Sequence, residues 1–312
     1  MNEQDSDWEK KVITKLAESS LQEQKRARNW GIFFKALTFI YLFALLGMFS
    51  SSDISTKKLT KHTALVDLTG LIAEGEKASS DNIVIALRDA FKDKNTTGII
   101  LRINSPGGTP VQAGYIYDEI VRLREKHPDT PLYAVISDMC ASGGYYVAAA
   151  ADKIYADKAS IVGSIGVRMD NFGFVEAMKK LGVERRTITA GKNKALLDPF
   201  APVDKKVNKH MSTMLQSIHQ QFITAVKKGR GDRLKSEVEG LFSGLIWTGE
   251  QSLEIGLVDE LASAGYVARE IIGEENVVNF TVTDDLLDRL AKRVGATMAS
   301  ILMKNENQPY MY

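Results

Sequence analysis

The stretch Ser137-Asp-Met-Cys-Ala-Ser-Gly-Gly-Tyr-Tyr146 lies between an apolar run, Pro131-Leu-Tyr-Ala-Val-Ile136, and a run of small residues, Val147-Ala-Ala-Ala-Ala151. The apolar run predicts a buried strand, and the small residues predict a helix. Ser142 would then stand at the entrance of that helix, where the first backbone N–H groups converge on one point. The position suits a nucleophilic hydroxyl, and it equally suits an ordinary serine N-cap.

Strand-like and helix-like segments alternate on both sides of this stretch. Short strand-like segments predict strands over residues 62–68, 98–103, 131–136, 153–156, 160–162, 185–189 and 277–282. Helical periodicity predicts helices over residues 80–92, 109–125, 174–180, 203–228 and 286–303. Strands separated by helix-length segments predict an α/β fold with right-handed parallel crossovers.

Composition and charge exclude several classes of function. The chain has 312 residues, of which 44% are hydrophobic and 25% charged, so a normal folded core is available. A formal net charge of +1 creates no field that would favour a nucleic-acid partner. Cys140 is the single cysteine, which excludes an intrachain disulfide and a cysteine-rich metal site. The histidines show no ligand spacing, and we expect neither a metal nor a cofactor.

An apolar segment follows the polar start of the chain. Its uninterrupted part, residues 36–49, is 14 residues long. At 1.5 Å per residue it would span about 21 Å, which is less than the roughly 30 Å of a bilayer core. Residues 30–35 make up the difference, and Lys35 would then reach toward one membrane face.

This pattern predicts a cytoplasmic tail over residues 1–29, a transmembrane anchor over 30–50, a linker over 51–61 and a globular domain over 62–312. Basic residues flank the span on both sides, so Lys35 alone favours an N-terminus inside the cell. Two alternatives stay open, a buried core helix and a cleaved signal peptide.

A glycine-rich loop could complete a site around Ser142. Asn104-Ser-Pro-Gly-Gly108 follows the predicted strand 98–103. Gly107 and Gly108 lack a Cβ, so the backbone there can turn sharply and present N–H groups to a ligand. Such a loop could form an oxyanion hole with the N–H of Gly143, although it also fits an ordinary connection between a strand and a helix.

A serine nucleophile also needs a base. No histidine lies between Ser142 and Asp204, so a lysine is the alternative. Lys192 and Lys194 follow the predicted strand 185–189. A lysine acts as a base only where burial favours its neutral amine, and the apolar residues that follow could provide that burial. By themselves both lysines also fit solvated loop positions.

Five groups of residues occur in one order and spacing across residues 64–260. They are Arg102-Ile-Asn-Ser-Pro-Gly-Gly108; Ser137-Asp-Met-Cys-Ala-Ser-Gly-Gly-Tyr-Tyr-Val147; Gly163-Ser-Ile-Gly-Val167; Gly191-Lys-Asn-Lys194 with Pro199-Phe200; and Trp247-Thr-Gly249 with Gly256-Leu-Val-Asp-Glu260. Together they resemble the signal peptide peptidase A family, whose members are membrane-anchored serine proteases with a Ser/Lys dyad.

The resemblance implies a role for individual residues. Ser142 matches the nucleophile and Lys194 the general base, while Lys192 aligns less well. Ser164 matches a hydroxyl that orients the lysine. Gly143 and either Gly107 or Gly108 match the oxyanion-hole positions.

The resemblance also implies a fold, a substrate and a location. The family fold is similar to the Clp protease proteolytic subunit and to crotonases, a superhelix of repeated ββα units. The implied substrates are remnant signal peptides in the bacterial cytoplasmic membrane, with the catalytic domain on the periplasmic side. Short members of the family are expected to form homo-oligomers with active sites near subunit interfaces. Two other functions remain, a catalytically silent oligomeric membrane scaffold and an acyl-CoA enzyme of the crotonase type.

Overall fold

A computed structural model of the chain describes residues 3–50 and 60–283. The chain divides into two compact units between residues 59 and 60. The predicted helix over residues 286–303 and most of the predicted linker lie outside the described residues.

The described part of the first unit is one helix, α1, which runs over Glu3–Ser50 without a break at the predicted boundary between tail and anchor. Its described side chains are exposed from Ile13 to Ala44, and Trp30 contacts the rings of Phe33 and Phe34. Within residues 3–50 and 60–283, no helix has both the length and the apolarity that crossing a bilayer requires. The anchor over residues 30–50 therefore stays a prediction.

Within residues 60–283, the second unit is built on an eight-stranded sheet with the strand order β6-β5-β3-β2-β1-β8. The strands are β1 (His62–Thr69), β2 (Thr96–Ser105), β3 (Leu132–Ala141), β4 (Lys153–Ala156), β5 (Ile161–Gly163), β6 (Ile246–Thr248), β7 (Glu260–Leu261) and β8 (Val277–Asn279). The first half of β3 pairs with β4 and its second half with β5, so the sheet divides at this strand. β7 pairs with β4, and every pairing is parallel except that of β5 with β6.

Helices cover one face of this sheet and short turns cover the other. The helices are α2 (Ser80–Lys92), α3 (Pro110–Lys126), α4 (Gly143–Ala148), α5 (Val175–Lys180), α6 (Lys205–Arg230), α7 (Gly249–Glu254) and α8 (Ala264–Tyr266). The larger core joins the sheet to α2, α3, α4 and the end of α6. A π-helical turn over Val267–Ile272 closes the smaller core on the opposite face. With both faces covered, the central strands carry runs of apolar residues, as a parallel sheet requires.

The predicted α/β fold is confirmed. The sequence did not predict β6 and β7, and two further differences concern β3 and residues 185–189. β3 continues to Ala141 because Met139, Cys140 and Ala141 pair with β5, which carries the strand up to Ser142. The strand predicted over residues 185–189 is wrong. In the described part of the chain nothing pairs with this segment, so its backbone lacks the ladder bonds that define a strand.

None of residues 166–221 is buried, and we call them the exposed segment. It contains α5, the loop with both candidate lysines and the first half of α6. The side chain of Ile188 is 100% exposed, and that of Leu181 is 77% exposed. The long helix predicted over residues 203–228 is confirmed as α6, but the residues of α6 that are buried come only after residue 221. The exposed segment therefore has no core of its own within the single chain.

Candidate functional site

Ser142 occupies a strained turn between β3 and α4. Its backbone angles are φ 52° and ψ −123°, on the left-handed side that residues with a Cβ rarely adopt. The Ser142 N–H donates to the Gly163 carbonyl at 2.8 Å, and its own carbonyl accepts from the Tyr146 N–H at 3.0 Å. Ser142 occupies the N-cap position of α4, but its hydroxyl makes no capping hydrogen bond. Strain of this kind persists where the surrounding structure holds it, often at active sites.

The Gly107–Gly108 loop lies against this turn. Gly107 has φ +101°, and its N–H donates to the Ser105 hydroxyl at 3.1 Å. The Gly108 N–H has no acceptor among the described residues. The Gly143 N–H begins α4, where a helix offers no internal acceptor.

The Gly108 and Gly143 N–H groups are neighbours. A Cβ placed on Gly143 would lie 3.1 Å from the Gly108 nitrogen, and one placed on Gly107 would lie 2.7 Å from the Gly143 nitrogen. A Cβ on Gly108 itself would collide with the Ile72 carbonyl oxygen. Of the two glycines that the sequence left open, the geometry therefore favours Gly108 as the second donor, because the Gly107 N–H is already bonded.

Ser164 lies at a second strained position, directly after β5. Its φ is 52°, and Gly163 before it has φ +109°. The Ser164 N–H donates to the Leu245 carbonyl at 2.7 Å, which ties the turn to the strand that pairs with β5. Trp247 packs over Gly163, where a Cβ would lie 2.9 Å from the indole ring.

One cleft of about 730 Å³ brings these residues together. The predicted site residues that line it are Ser142, Gly143, Gly107, Gly108 and Ser164. Much of the remaining lining is apolar, from Leu71, Pro110, Ala113, Tyr146, Val167, Ile218 and Phe222. The size is typical of a ligand site, and the apolar walls beside a few polar groups suit an apolar peptide.

The two candidate lysines are placed differently. Lys192 and Lys194 are exposed in a loop and do not line the cleft. Ala195 and Leu196 are exposed as well, so the apolar residues after the lysine do not bury it within one chain.

The base of this loop is fixed by Asp198. Arg185 pairs with the Asp198 carboxylate at 2.9 Å, and the Asp198 side chain is only 7% exposed. Arg185 also lies over the ring of Phe200, which stacks on Phe174. The loop is thus held at its base, while the lysines extend from it into solvent.

Sequence reasoning missed the contribution of α6 to the cleft. Ile218 and Phe222 of α6 both line the cleft. Phe222 also contacts the ring of Tyr146 at a centroid distance of 5.0 Å. His219 on the same helix lies 3.2 Å from the Ile165 carbonyl, next to Ser164. Helical periodicity places these residues on one face but does not reveal what that face meets.

Comparison with known proteins gives a family match and several relatives. A sequence model of the family described as Peptidase family S49 matches residues 124–277. A putative signal peptide peptidase SppA of Enterococcus faecium is 30% identical over 256 residues, covering 80% of this chain and 67% of that protein. The putative protease slr0021 of a Synechocystis species is 31% identical over 203 residues, covering 65% of this chain and 70% of that protein.

A longer protein also resembles this chain. The Na(+)/H(+) antiporter NhaA of Brucella abortus is 41% identical over 216 residues, which cover 68% of this chain and 29% of that protein. The match in a Brucella melitensis protein of the same name has the same extent. The chain therefore spans less than a third of the length of these two relatives.

Proposed function

This chain belongs to peptidase family S49, the signal peptide peptidase A family, and from that premise we propose that it is a serine endopeptidase with a Ser142/Lys194 dyad. The observation that carries the proposal is the strained Ser142 turn with two N–H groups beside it, from Gly108 and Gly143, that lack an acceptor in the described chain. A hydroxyl next to two such donors is the arrangement that acyl transfer to serine requires.

The chemistry proceeds in two steps. Neutral Lys194 takes the proton of the Ser142 hydroxyl as its oxygen attacks the peptide carbonyl carbon. The Gly108 and Gly143 N–H groups stabilise the resulting oxyanion, each by about 3 kcal/mol. The C–N bond then breaks, and the ammonium of Lys194 protonates the leaving amine. Lys194 then deprotonates a water, whose oxygen attacks the Ser142 ester carbonyl. The ester bond to the Ser142 oxygen breaks, the acid product leaves, and Lys194 returns the proton to that oxygen.

We assign the Lys194 that serves each cleft to a neighbouring copy of the chain. Within one chain Lys194 is exposed and outside the cleft, whereas a lysine base needs burial to be neutral. Residues 185–189 have no regular secondary structure and pair with no strand in the described chain, and Ile188 within them is 100% exposed. Contact with a second copy would cover this segment and bury the lysine.

An apolar groove supports this assembly into a homo-oligomer. It has a volume of about 530 Å³ and lies between the start of the exposed segment and the first half of α6. Its apolar lining comes from Met169, Phe172, Ala195, Leu197, Val203, Val207, Met211 and Leu215. A groove of this composition in a segment without a core is typical of a surface that another chain covers.

The proposed substrates are apolar peptides, in particular remnant signal peptides at the bacterial cytoplasmic membrane. The apolar walls of the cleft support this choice, and the Enterococcus relative is named a putative signal peptide peptidase. The proposal includes an anchor at residues 30–50 with the globular part on the periplasmic side. It also includes kinship with the Clp protease and crotonase superhelix, which the division of the sheet at β3 supports.

The test uses the purified full-length chain with an apolar peptide ester and a fluorophosphonate probe. Ser142→Ala keeps the Cβ and therefore the turn, yet turnover should fall below about 1% of wild type because the nucleophile is gone. The probe should label wild type at Ser142 and leave Ser142→Ala unlabelled. Retained turnover in Ser142→Ala, or a labelled residue other than Ser142, would refute the assignment. A silent scaffold would show neither turnover nor labelling.

A further inference from the structure

Ser105 is a fully buried polar residue at the end of β2, and its hydroxyl makes two hydrogen bonds. The O–H donates to the Gly70 carbonyl at 2.6 Å, and the hydroxyl oxygen accepts from the Gly107 N–H at 3.1 Å. One side chain thereby joins the end of β2, the turn that follows β1 and the glycine loop of the cleft.

The second of these bonds fixes the glycine loop. In Ser105-Pro106-Gly107-Gly108, Gly107 has φ +101°. The peptide between Pro106 and Gly107 can face either way, because glycine accepts φ of either sign. The bond from the Gly107 N–H to Ser105 selects one orientation.

That orientation exposes the Gly108 N–H to the cleft. With the Gly107 N–H directed at Ser105, the Gly107 carbonyl accepts from the Ile72 N–H at 2.9 Å. Both polar groups of Gly107 are then satisfied inside the loop. Gly108 keeps an N–H with no acceptor in the described chain, beside the Gly143 nitrogen.

Ser105 also contacts the turn on which Gly143 lies. It pairs in register with Cys140 of β3. A Cβ placed on Gly144 would lie 3.2 Å from the Ser105 carbonyl oxygen, so the backbone at Ser105 passes directly behind the start of α4. The Ser105 hydroxyl therefore fixes the conformation of the Gly108 loop. The Ser105 backbone lies against the turn that carries the Gly143 N–H donor.

We propose that Ser105 is a positioning residue that holds the Gly108 N–H at the oxyanion hole, so that it acts on the transition state without touching the substrate. This inference rests on the proposed peptidase function. It predicts that loss of the Ser105 hydroxyl slows turnover more than it weakens substrate binding, since oxyanion donors act mainly as charge develops.

Ser160 offers a matched control. It is 2% exposed, and its hydroxyl likewise donates to a backbone carbonyl, that of Ser137 at 2.5 Å, and accepts a backbone N–H, that of Asp157 at 3.1 Å. These bonds hold the connection between β4 and β5 and do not involve the cleft residues. Ser105→Ala and Ser160→Ala therefore each remove a buried hydroxyl with two hydrogen bonds, one at the cleft and one away from it.

The experiment compares wild type, Ser105→Ala and Ser160→Ala as full-length chains. Both variants should lose a similar amount of thermal stability, because each removes one hydroxyl with two buried bonds. Ser105→Ala should lower kcat about tenfold or more with KM within about twofold, whereas Ser160→Ala should keep kcat within about twofold. The affinity for a peptide aldehyde, whose adduct carries the oxyanion, should fall with kcat in Ser105→Ala alone.

Hydrogen exchange gives a readout that does not depend on turnover. A peptide that contains residues 105–109 should exchange faster in Ser105→Ala than in wild type, because the Gly107 amide loses its acceptor. If Ser105→Ala does not fold, Ser105→Cys keeps a side chain of similar shape with a weaker donor and acceptor, and should show an intermediate loss of kcat.

The outcomes separate this inference from the proposed function. If folded wild type shows no more turnover than Ser142→Ala, the proposed peptidase function is refuted. The hydrogen-exchange measurement on residues 105–109 then still decides whether Ser105 fixes the loop. An active wild type with unchanged kcat in Ser105→Ala would overturn the positioning role. Equal losses of kcat in Ser105→Ala and Ser160→Ala would overturn it as well, since the effect would then be one of stability alone.

Discussion

The turn at Ser142 and the exposed segment each contribute one half of the proposed dyad, and they differ in almost every physical respect. Around Ser142 the neighbouring Cys140 and Tyr145 are fully buried, and the backbone is hydrogen-bonded to β5 and within α4. Around Lys194 no residue from 166 to 221 is buried. The single chain thus completes the surroundings of the nucleophile and leaves those of the base open to solvent.

The difference follows from what each group needs. A serine nucleophile depends on a fixed backbone and on N–H donors, which a sheet and a helix provide within one chain. A lysine base depends on removal from water, which needs a covering surface. A protein that buries Lys194 only on assembly would be active only as an oligomer.

The largest expected effect concerns Lys194 in the exposed segment. Lys194→Arg keeps the positive charge but cannot lose its proton, so it should be as inactive as Lys194→Ala, with a loss of roughly 10²–10⁴-fold in kcat. Lys192→Ala should keep most of the activity. We would measure turnover of one peptide ester for the variants between pH 6 and 10.

Two outcomes would change this assignment. An active Lys194→Arg enzyme would remove Lys194 from the role of base, because charge alone would then suffice. An inactive Lys192→Ala together with an active Lys194→Ala would move the base to Lys192.

Coexpression of two inactive variants tests directly whether Ser142 and Lys194 of one site come from different copies of the chain. Ser142→Ala and Lys194→Ala should each be inactive alone. Coexpressed in equal amounts, they should recover about a quarter of wild-type activity if each site joins Ser142 of one copy to Lys194 of the next, because random assembly in a closed ring places both intact residues together at that frequency. If one chain supplies both residues, the mixture stays inactive.

A smaller effect is expected on stability, which a glycine-to-alanine change should lower in the packed core but not in the exposed segment. Gly229 lies in α6 against α4, and a Cβ there would collide with the Ala149 carbonyl oxygen. Gly229→Ala should destabilise the fold by about 1–3 kcal/mol, an overpacking cost. Gly173 in the exposed segment has nothing within 4 Å of such a Cβ, so Gly173→Ala should be near neutral. Denaturant unfolding of both variants measures the contrast, and equal effects would contradict the described packing.

The smallest effect concerns the pH dependence of the melting temperature, through one ion pair in α3 and one in the exposed segment. Hydrogen bonding by Arg122, aided by Arg88, lowers the pKa of Glu119 from 4.5 to about 2 despite partial burial. A carboxylate with a lowered pKa stabilises the fold above its ordinary pKa, and that contribution disappears as the pH falls through its folded value. The melting-temperature difference between wild type and Glu119→Gln should be greatest near neutral pH and should vanish toward pH 2.

The control for this measurement lies in the exposed segment. Glu176 pairs with Lys179 at 2.8 Å, but both side chains are more than two-thirds exposed. Surface pairs of this kind contribute little, so Glu176→Gln should leave the melting temperature nearly unchanged across the same pH range. A shift as large as that of Glu119→Gln would contradict the burial argument.

The sequence by itself determined the features that local pattern controls. Helical periodicity placed α2 at Ser80–Lys92, and an apolar run placed β4 at Lys153–Ala156, both as the structure has them. These elements follow from patterns of side chains that repeat along the chain. The spacing of small residues around Ser142 likewise predicted a turn between a strand and a helix, because few other residues permit so tight a connection.

Tertiary structure decided what depends on neighbours distant in sequence. The choice between Gly107 and Gly108 rests on a hydrogen bond from Gly107 to Ser105 and on contact with Gly143, and local pattern specifies neither. The strand predicted over residues 185–189 failed for the same reason, because a segment becomes a strand only where another strand supplies its backbone bonds. Sequence pattern indicates which secondary structure a segment is able to form. Whether that structure forms depends on the segments that pack or pair with it in the folded chain.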